Sequence, residues 1–490
     1  MAFESLLSPE TALALLAAGI LYSTVSNLVL SPLRKVPGPW YCAISGLFYK
    51  GLAAKGTHLE WIQGLHEVYG PIVRVAPGVV NVRDVDAAYT LHSTHKYVKG
   101  PSYTILEFTG GPNIFSASDP HIAKTRRKLA MPMFTRTALD EMDEMIMSAG
   151  VRPLLRRLDR HAKAGDTINL YTLFHYMTFD VIGDIVFGRS FNLMEDDNNG
   201  DNIIAWLGGM SQLGIYVRKY AFGSLANKWL MPSLHECQRK ALEFTLEAIH
   251  TRQKIKNPRP DSLQRYLTAI KEEKVEHMTE MEIAGDMLMQ LVAGSDTTGN
   301  SCVWTMYLLS RAPDVYARLV RELQEAIPDG NAEIRHSMVR DLPYLNAVIS
   351  ESLRIYPTGG RGAHRLVPKG GLELCDQYLP EGTIVMATQY MINRCSKIWD
   401  EPAAFRPERW LSEDSVRLDE MKRAFFPFSM GVRSCVGRDL AWMELRVTLA
   451  SVIRRFQVEI SPDDDMFPIC SLTIQPRGHA LTGRLTRRLE

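Results

Sequence analysis

The residue of this chain that most favours metal chemistry is Cys435. It stands directly before residues 438–456, where apolar residues recur at helical spacing, so the sequence predicts a helix that begins just after the thiol. Free N–H groups at a helix start lower the pKa of a nearby thiol, and the resulting thiolate is a strong, soft metal ligand. Taken alone, Cys435 is better explained as a buried structural cysteine, because free cysteines are usually buried. The choice between these readings depends on its neighbours.

The residues around Cys435 form a loop suited to a flat, anionic cofactor. Gly431 and Gly437 permit tight turns and close approach to the main chain, and Arg433 can neutralise an anionic group. From Phe428 onward the chain reads Phe-x-x-Gly-x-Arg-x-Cys-x-Gly, which resembles the haem-ligand loop of the cytochrome P450 family at all five fixed positions. A cysteine thiolate on haem iron favours O–O bond cleavage. The resemblance implies that Cys435 is the axial iron ligand, and that Phe428, Arg433 and Gly437 contact the haem.

A second chemical motif interrupts a long apolar stretch, residues 281–311, that reads as a helix. Residues 293–299 are Ala-Gly-Ser-Asp-Thr-Thr-Gly, in which glycines and hydroxyls weaken the helix, so we expect a local bulge. The motif resembles the oxygen-activating helix of the family. The resemblance implies that Asp296 and Thr297 deliver protons to bound oxygen and that Ala293 lines the substrate pocket.

A basic run at residues 124–128 opens another predicted helix. Such a run is usually a solvated face. The matching helix of the family carries a tryptophan and, four residues later, an arginine that binds a haem propionate. By this resemblance Arg127 is the propionate ligand, whereas Ala123 replaces the tryptophan. We expect Lys124 or His121 to supply the missing contact.

Glu351 and Arg354 lie three residues apart on one face of a predicted helix. A surface ion pair of small energetic value is one interpretation. With Arg409 from the later Pro-Glu-Arg-Trp sequence, the pair resembles the buried Glu-Arg-Arg cluster of the family. The resemblance implies a structural role, in which the cluster fixes the cysteine loop.

Three further basic residues, Arg361, His364 and Arg365, follow a proline-terminated helix. In the family a cation of this turn reaches a haem propionate, and the spacing leaves His364 and Arg365 as alternatives. Gly359 and Gly360 are expected to border the pocket above the haem. Residues 365–371 resemble fungal members of secondary metabolism in particular.

The remaining pocket residues are predicted in loops. Residues 97–118 combine glycines and prolines with apolar residues, and Tyr103 and Phe108 are candidates to line the pocket, with ordinary loop packing as the alternative. Residues 200–235 are predicted to form a mobile lid, whose glycines are interspersed with Trp206, Phe222 and Trp229.

The N-terminal segment is predicted to be a membrane anchor. Residues 11–30 carry no charge and are long enough to span a bilayer, and Arg34 and Lys35 follow them, which places the later chain on the cytosolic side. A cleavable signal peptide and a core helix are the alternatives. We therefore predict an anchor at residues 1–31 and one catalytic domain at residues 32–490, and the resemblance implies the endoplasmic reticulum membrane.

Composition favours one large, mainly α-helical domain with a smaller β region. Helical patterns dominate, and short strand-like pieces occur near residues 72–75, 79–82 and 383–387. The resemblance implies an α+β fold with a long central helix over the haem and the cysteine loop beneath it. A net charge of +1 provides no field to recruit nucleic acid, and the seven scattered cysteines form neither a zinc nor a disulfide pattern.

Together the motifs identify the chain as a haem-thiolate monooxygenase of the cytochrome P450 family. The resemblance implies haem b, an apolar small-molecule substrate, and electrons from NADPH-cytochrome P450 reductase, because no flavin-binding segment follows Cys435. One alternative is a reductase-independent haem-thiolate isomerase or dehydratase. The other is a haem-binding membrane protein without catalytic activity.

Overall fold

The structure is a computed structural model that describes residues 9–195, 204–210, 213, 229–272, 278–360 and 362–488. Most of the predicted lid, including Phe222, and the candidate Arg361 lie outside the described residues. Trp206 packs partly buried against the main core, whereas Trp229 is exposed.

Helices form most of the described chain, as the sequence predicts. In order along the chain they are Pro9–Val25, Trp40–Ile44, Leu47–Lys55, His58–Tyr69, Val85–His92, Pro120–Ala130, Arg136–Met145, Arg152–Ala164, Leu170–Phe187, Pro232–Gln253, Ser262–Lys271, Glu280–Ser310, Pro313–Ala326, His336–Val339, Pro343–Ile355, Gln389–Ile392, Ser415–Ala424 and Arg438–Arg455. Short 3₁₀ turns occur at Pro32–Lys35, Pro101–Leu106, Met131–Phe134, Pro407–Leu411 and Gly431–Arg433, and single π turns at Ser26–Leu30 and Ile146–Val151.

The longest helix, Glu280–Ser310, crosses the middle of the domain and is called the central helix below. A capping box begins it, in which the side chains of Thr279 and Glu282 bond each other's backbone N–H groups. It is buried on most sides because it packs against the apolar helix Leu170–Phe187, called the flanking helix, and against Arg438–Arg455. The predicted long central helix is confirmed.

The predicted bulge in the central helix is wrong. The helix is continuous from 280 to 310, because the hydroxyls bond carbonyl groups one turn back without opening the backbone ladder; Ser295 Oγ donates to Leu291 O at 2.8 Å. The glycines serve packing instead. A Cβ on Gly294 would lie 2.6 Å from the Ile182 side chain, so this glycine lets the flanking helix approach closely.

The β structure is small and sits at the edge of the helical body. Four strands form a mixed sheet in the order Ile72–Ala76, Val79–Val82, Ile384–Ala387 and Ala363–Leu366, and these include the three predicted strand segments. The second and third strands are parallel and the other pairs antiparallel. The remaining sheets pair Ile168–Asn169, Thr482–Arg487 and Phe456–Ile460, then Pro468–Cys470 with Ile474–Pro476, and Leu372–Leu374 with Gln377–Leu379.

The N-terminal helix stands apart from the core. The segment Glu10–Leu30 is 21 residues long and apolar enough to cross a membrane by length and composition, and its large apolar side chains are mostly exposed. Its end is tied to the domain, because Arg74 Nη1 donates to Asn27 O at 3.1 Å. This helix is compatible with a membrane anchor.

Candidate active site

A cavity of about 390 Å³ lies between the central helix and the loop that carries Cys435. Thr297 and Thr298 line it from the central helix, and Phe428 and Gly437 from the cysteine loop. The structure thus has the predicted arrangement, with the long helix on one side and the cysteine loop on the other.

The cysteine loop is held by its own backbone. Cys435 N donates to Phe428 O at 2.8 Å, which closes the loop just before the helix Arg438–Arg455. Gly431 needs to be glycine, because its φ is +65° and a Cβ there would lie 2.2 Å from His92 O. Cys435 lines the cavity, and the open space of the cavity leaves its surface accessible.

The expectation of a lowered thiol pKa at Cys435 is wrong for the protein alone. Burial raises the pKa of the Cys435 thiol, whereas the Gly437 N–H, Arg127 and Arg438 lower it and only partly offset burial. A bound metal cation deprotonates a coordinating thiol outright. A metal ion bound at Cys435 would therefore convert its thiol to a thiolate.

Four basic side chains line the same cavity, and no carboxylate among the described residues forms an ion pair with any of them: Lys99, Arg127, Arg365 and Arg433. Their only donated hydrogen bonds to protein oxygens go to carbonyls, such as Arg127 Nη1 to Ser434 O at 2.6 Å and Arg365 Nη1 to His364 O at 3.1 Å. Burial, and then Arg365, Arg433 and Arg127, lower the pKa of Lys99. Such clustering of like charge is unfavourable without an anion. The thiol on the floor and these cations at one end fit a flat, dicarboxylate metal cofactor such as haem.

Lys99 is a site residue that sequence reasoning missed. Its Nζ lies 4.6 Å from the ring centroids of both Tyr103 and Phe115, and it donates to Phe115 O. An isolated antiparallel bridge between Lys99 and Arg365 brings it to the cavity. Lys124 and His121, the two alternatives predicted to supply the contact of the missing tryptophan, are both exposed, and neither lines the cavity.

Both alternatives in the turn after the helix Pro343–Ile355 reach the cavity. His364 Nδ1 lies 2.5 Å from Ser102 Oγ, and Arg365 is almost completely buried. Gly360 does not line the cavity, because its Cα faces Ile474, whereas the adjacent Gly359 does. Of the other pocket candidates, Tyr103 and Ala293 line the cavity and Phe108 packs in the hydrophobic core.

The two predicted proton-delivery residues have different surroundings. Thr297 lines the cavity, and its hydroxyl donates to Ala293 O at 2.9 Å. Asp296 does not line the cavity; it lies within electrostatic range of His175 on the flanking helix and of His479. Burial raises the pKa of the Asp296 carboxyl, whereas the two histidines lower it.

The predicted Glu-Arg-Arg cluster is assembled and buried. Arg354 binds Glu351 through two hydrogen bonds of 2.9 and 2.8 Å, and Arg409 Nε reaches Glu351 Oε1 at 2.9 Å. Trp410 Nε1 donates to the second carboxylate oxygen at 2.9 Å. The acid is therefore saturated with donors, which buried charge requires.

Hydrogen bonds connect this cluster to the cysteine loop. Arg354 Nη1 donates to Asn393 O at 2.9 Å, and Asn393 Nδ2 returns a bond to Arg354 O at 2.7 Å. Gln389 bonds the Asn393 side chain and accepts from Phe426 N at 3.1 Å, two residues before Phe428. The cluster thus supports the segment that enters the cysteine loop.

Comparison with known proteins identifies the family. The cytochrome P450 family model matches residues 35–481. The chain is 30% identical over 453 residues to a cytochrome P450 monooxygenase, atr2, of Stereocaulon alpinum, a match that covers 89% of this chain and 87% of that protein. It is 29% identical over 450 residues to a tryprostatin B 6-hydroxylase of Neosartorya fischeri, which covers 91% and 79%.

The fold agrees with solved structures of the same family. The haem domain of cytochrome P450DA superposes with a TM-score of 0.79 at 20% identity, over 90% of this chain and 95% of that one. The chain belongs to the cytochrome P450 family and is a monooxygenase, with relatives in fungal secondary metabolism. Membership implies a haem-iron cofactor, a redox partner that supplies electrons and a small-molecule substrate.

Proposed function

We propose that the chain binds haem b with Cys435 as the axial ligand and inserts one oxygen atom from O₂ into an apolar small molecule of secondary metabolism. The observation that carries the proposal is one cavity lined by the Cys435 thiol and by four cations that form no ion pair with a carboxylate among the described residues. Haem iron with a thiolate ligand supplies O–O bond cleavage. The residues of the chain provide the rest.

The basic side chains hold the anionic edge of the cofactor. Arg127, Arg433 and Arg365 carry fixed charges and planar donor groups suited to carboxylates, and Lys99 adds a charge beside them. His364 shares this end of the cavity. An anion placed here relieves the mutual repulsion of the cations, so cofactor binding and local stability are coupled.

We propose that Asp296 and Thr297 deliver protons on the other side of the cavity. Thr297 presents a hydroxyl at the cavity wall, which can bind and orient water. Asp296, one residue before it, holds a proton on the opposite face of the helix and passes it to the Thr297 side when its side chain rotates. Oxygen insertion consumes protons and electrons in equal number. The rate of proton delivery therefore limits the fraction of NADPH oxidation that leads to product.

The substrate is proposed to bind over the apolar part of the cavity. Its walls there come from the flanking helix and the central helix, and they include Val181, Ile182, Ile185, Met289, Val292 and Ala293. Such a surface favours an apolar molecule through burial of its hydrocarbon area. The relative named tryprostatin B 6-hydroxylase supports hydroxylation as the reaction.

NADPH-cytochrome P450 reductase of the endoplasmic reticulum is the proposed electron donor. The segment Glu10–Leu30 supports a single membrane anchor that would hold the chain on the membrane of that partner. On the cysteine side of the domain, Lys124, Lys128 and Arg438 are exposed cations that would meet an acidic partner surface.

The test is reconstitution of the full chain with the reductase in lipid vesicles, NADPH and ¹⁸O₂, using apolar compounds that shift the haem spectrum. The expected product carries one ¹⁸O atom. Conversion without NADPH would instead support an isomerase or dehydratase, and haem-loaded protein without any product or NADPH consumption would support a non-catalytic haem-binding protein. A matched reaction with boiled reductase controls for direct reduction.

A further inference from the structure

A group of titratable residues surrounds Asp296 on the side of the central helix that faces away from the cavity. His175 and Tyr171 come from the flanking helix, and His479 from the segment after the strand Ile474–Pro476. All three lie within electrostatic range of the Asp296 carboxylate. No lysine or arginine among the described residues forms an ion pair with Asp296. The side chains that carry or can carry charge in this group are therefore all able to gain or lose a proton.

The group extends from the helix to the protein surface. His479 is exposed, and its Nδ1 lies 3.1 Å from the Tyr171 hydroxyl. The Tyr171 ring lies against the His175 ring, with their centroids 4.2 Å apart. Burial and the Asp296 charge raise the pKa of Tyr171, so its phenol stays protonated and can pass a proton on only by accepting one while it donates its own.

The tautomer of His175 is fixed by its surroundings. Its Nδ1 lies 2.7 Å from Tyr171 O, and a carbonyl oxygen only accepts, so Nδ1 carries the proton in the neutral ring. Nε2 then carries the lone pair. This atom is buried and has no hydrogen-bond partner among the described residues, in a side chain that is only 7% exposed. His175 is therefore set to accept a proton at Nε2.

The ring of His175 is held directly against the central helix. A Cβ on Gly299 would lie 3.2 Å from it, so glycine at this position permits the approach. Asn300, on the next turn after Asp296, donates from Nδ2 to Asp296 O at 2.8 Å, while its buried Oδ1 has no partner among the described residues. Two unsatisfied buried polar atoms near one carboxylate favour bridging water.

The surroundings of Asp296 and His175 bring the pKa values of the two groups closer together. Burial raises the pKa of Asp296 and lowers that of His175, while each group partly opposes the shift of the other. Proton transfer between them is consequently closer to balanced than between an ordinary carboxylate and an ordinary imidazole.

We propose that His479, Tyr171 and His175 form a proton relay that loads Asp296 from the protein surface on the side opposite the cavity. This inference rests on the proposed role of Asp296 and Thr297. A proton from solvent binds the His479 imidazole, reaches the neutral His175 Nε2 through Tyr171 and bridging water, and moves to the Asp296 carboxylate. Asp296 releases it toward Thr297, so each group returns to its starting state and no electrons are exchanged.

The first test follows His175 itself in the reduced, carbon monoxide-bound holoenzyme, by NMR titration of the imidazole carbon–proton shifts. D296N removes a charge that raises the pKa of His175, so this pKa falls; H479Q removes a group that lowers it, so the pKa rises. H250Q is the matched control. His250 is exposed, and its Nε2 lies 3.2 Å from Oε2 of Glu280, the first residue of the central helix. An identical His175 titration in wild type, D296N and H479Q overturns the relay.

The second test measures hydrogen peroxide released per NADPH oxidised, with reductase and no added substrate, across pH. We expect D296N, H175Q and H479Q to raise the peroxide share severalfold and flatten its pH dependence, with D296N/H175Q no worse than D296N. H250Q should match wild type. If D296N raises peroxide while both histidine variants match wild type, the relay is wrong and the role of Asp296 stands. If D296N also matches wild type, both are wrong.

Discussion

Glu351 and Arg354, one helical turn apart, form a two-point ion pair in which both side chains are completely buried. The same carboxylate also accepts from Arg409 and Trp410, and the same guanidinium also donates to Pro402 O and Ala404 O. Every strong donor and acceptor of the pair is thereby used. The pair has a structural role, because the segment that leads into the cysteine loop is hydrogen-bonded to it through Asn393 and Gln389.

Glu351→Gln should destabilise the protein strongly. The substitution keeps the side-chain shape but leaves the charges of Arg354 and Arg409 buried without a carboxylate, which costs about 3–5 kcal/mol. The free energy of urea unfolding of the holoenzyme measures this. Glu420→Gln is the matched control, because Glu420 pairs with Arg417 at the same sequence spacing on the surface, where the loss is about 0.2–1 kcal/mol. Equal effects of the two substitutions would contradict the structural role.

Lys99→Met should weaken cofactor binding. A buried hydrogen bond to a charged group is worth about 1.5–3 kcal/mol, so haem should transfer to apomyoglobin about tenfold faster or more. Lys124→Met removes an exposed charge outside the cavity and should leave the rate unchanged. If Lys124→Met accelerates haem loss and Lys99→Met does not, Lys124 and not Lys99 holds the cofactor.

Thr297→Ala should uncouple electron use from product formation. The cavity loses the hydroxyl that orients water at its wall, so NADPH is oxidised, peroxide is released and product yield falls by about 10²-fold or more. Thr297→Ser keeps the hydroxyl and should restore most of the yield. Peroxide and product are quantified in the same reaction. Full yield from Thr297→Ala would remove the proposed role.

Acid sensitivity should depend on Glu144. Hydrogen bonds from Arg152 and Arg335 lower the pKa of this carboxyl from 4.5 to about 2. Because the folded-state pKa lies below the unfolded one, the stabilisation is present above about 4.5 and is lost as pH falls toward about 2. Glu144→Gln should flatten this limb of the pH dependence of urea unfolding. An unchanged limb would show that other carboxyls govern it.

Local motifs predicted much of this molecule, and residues distant in sequence account for what was missed. The cysteine loop and the Glu351–Arg354 pair each lie within one short segment of sequence, so their resemblance to motifs of the family was enough to identify them. Lys99 reaches the cavity only through its bridge to Arg365, which no local pattern encodes. The direction of Asp296 depends on packing against His175, and Gly294 proved to be a contact for Ile182 rather than a helix break.

The assignment of Cys435 as the iron ligand can be tested by absorption spectroscopy of the dithionite-reduced protein with carbon monoxide, in wild type and in Cys435→His. Electron donation from a thiolate ligand shifts the Soret band of the carbon monoxide complex strongly to the red. We expect this band in wild type and its replacement in the variant by the band of histidine-ligated haem. A red-shifted band that persists in Cys435→His, or haem absorption without that band in the intact wild-type protein, would contradict the assignment of Cys435 as the iron ligand.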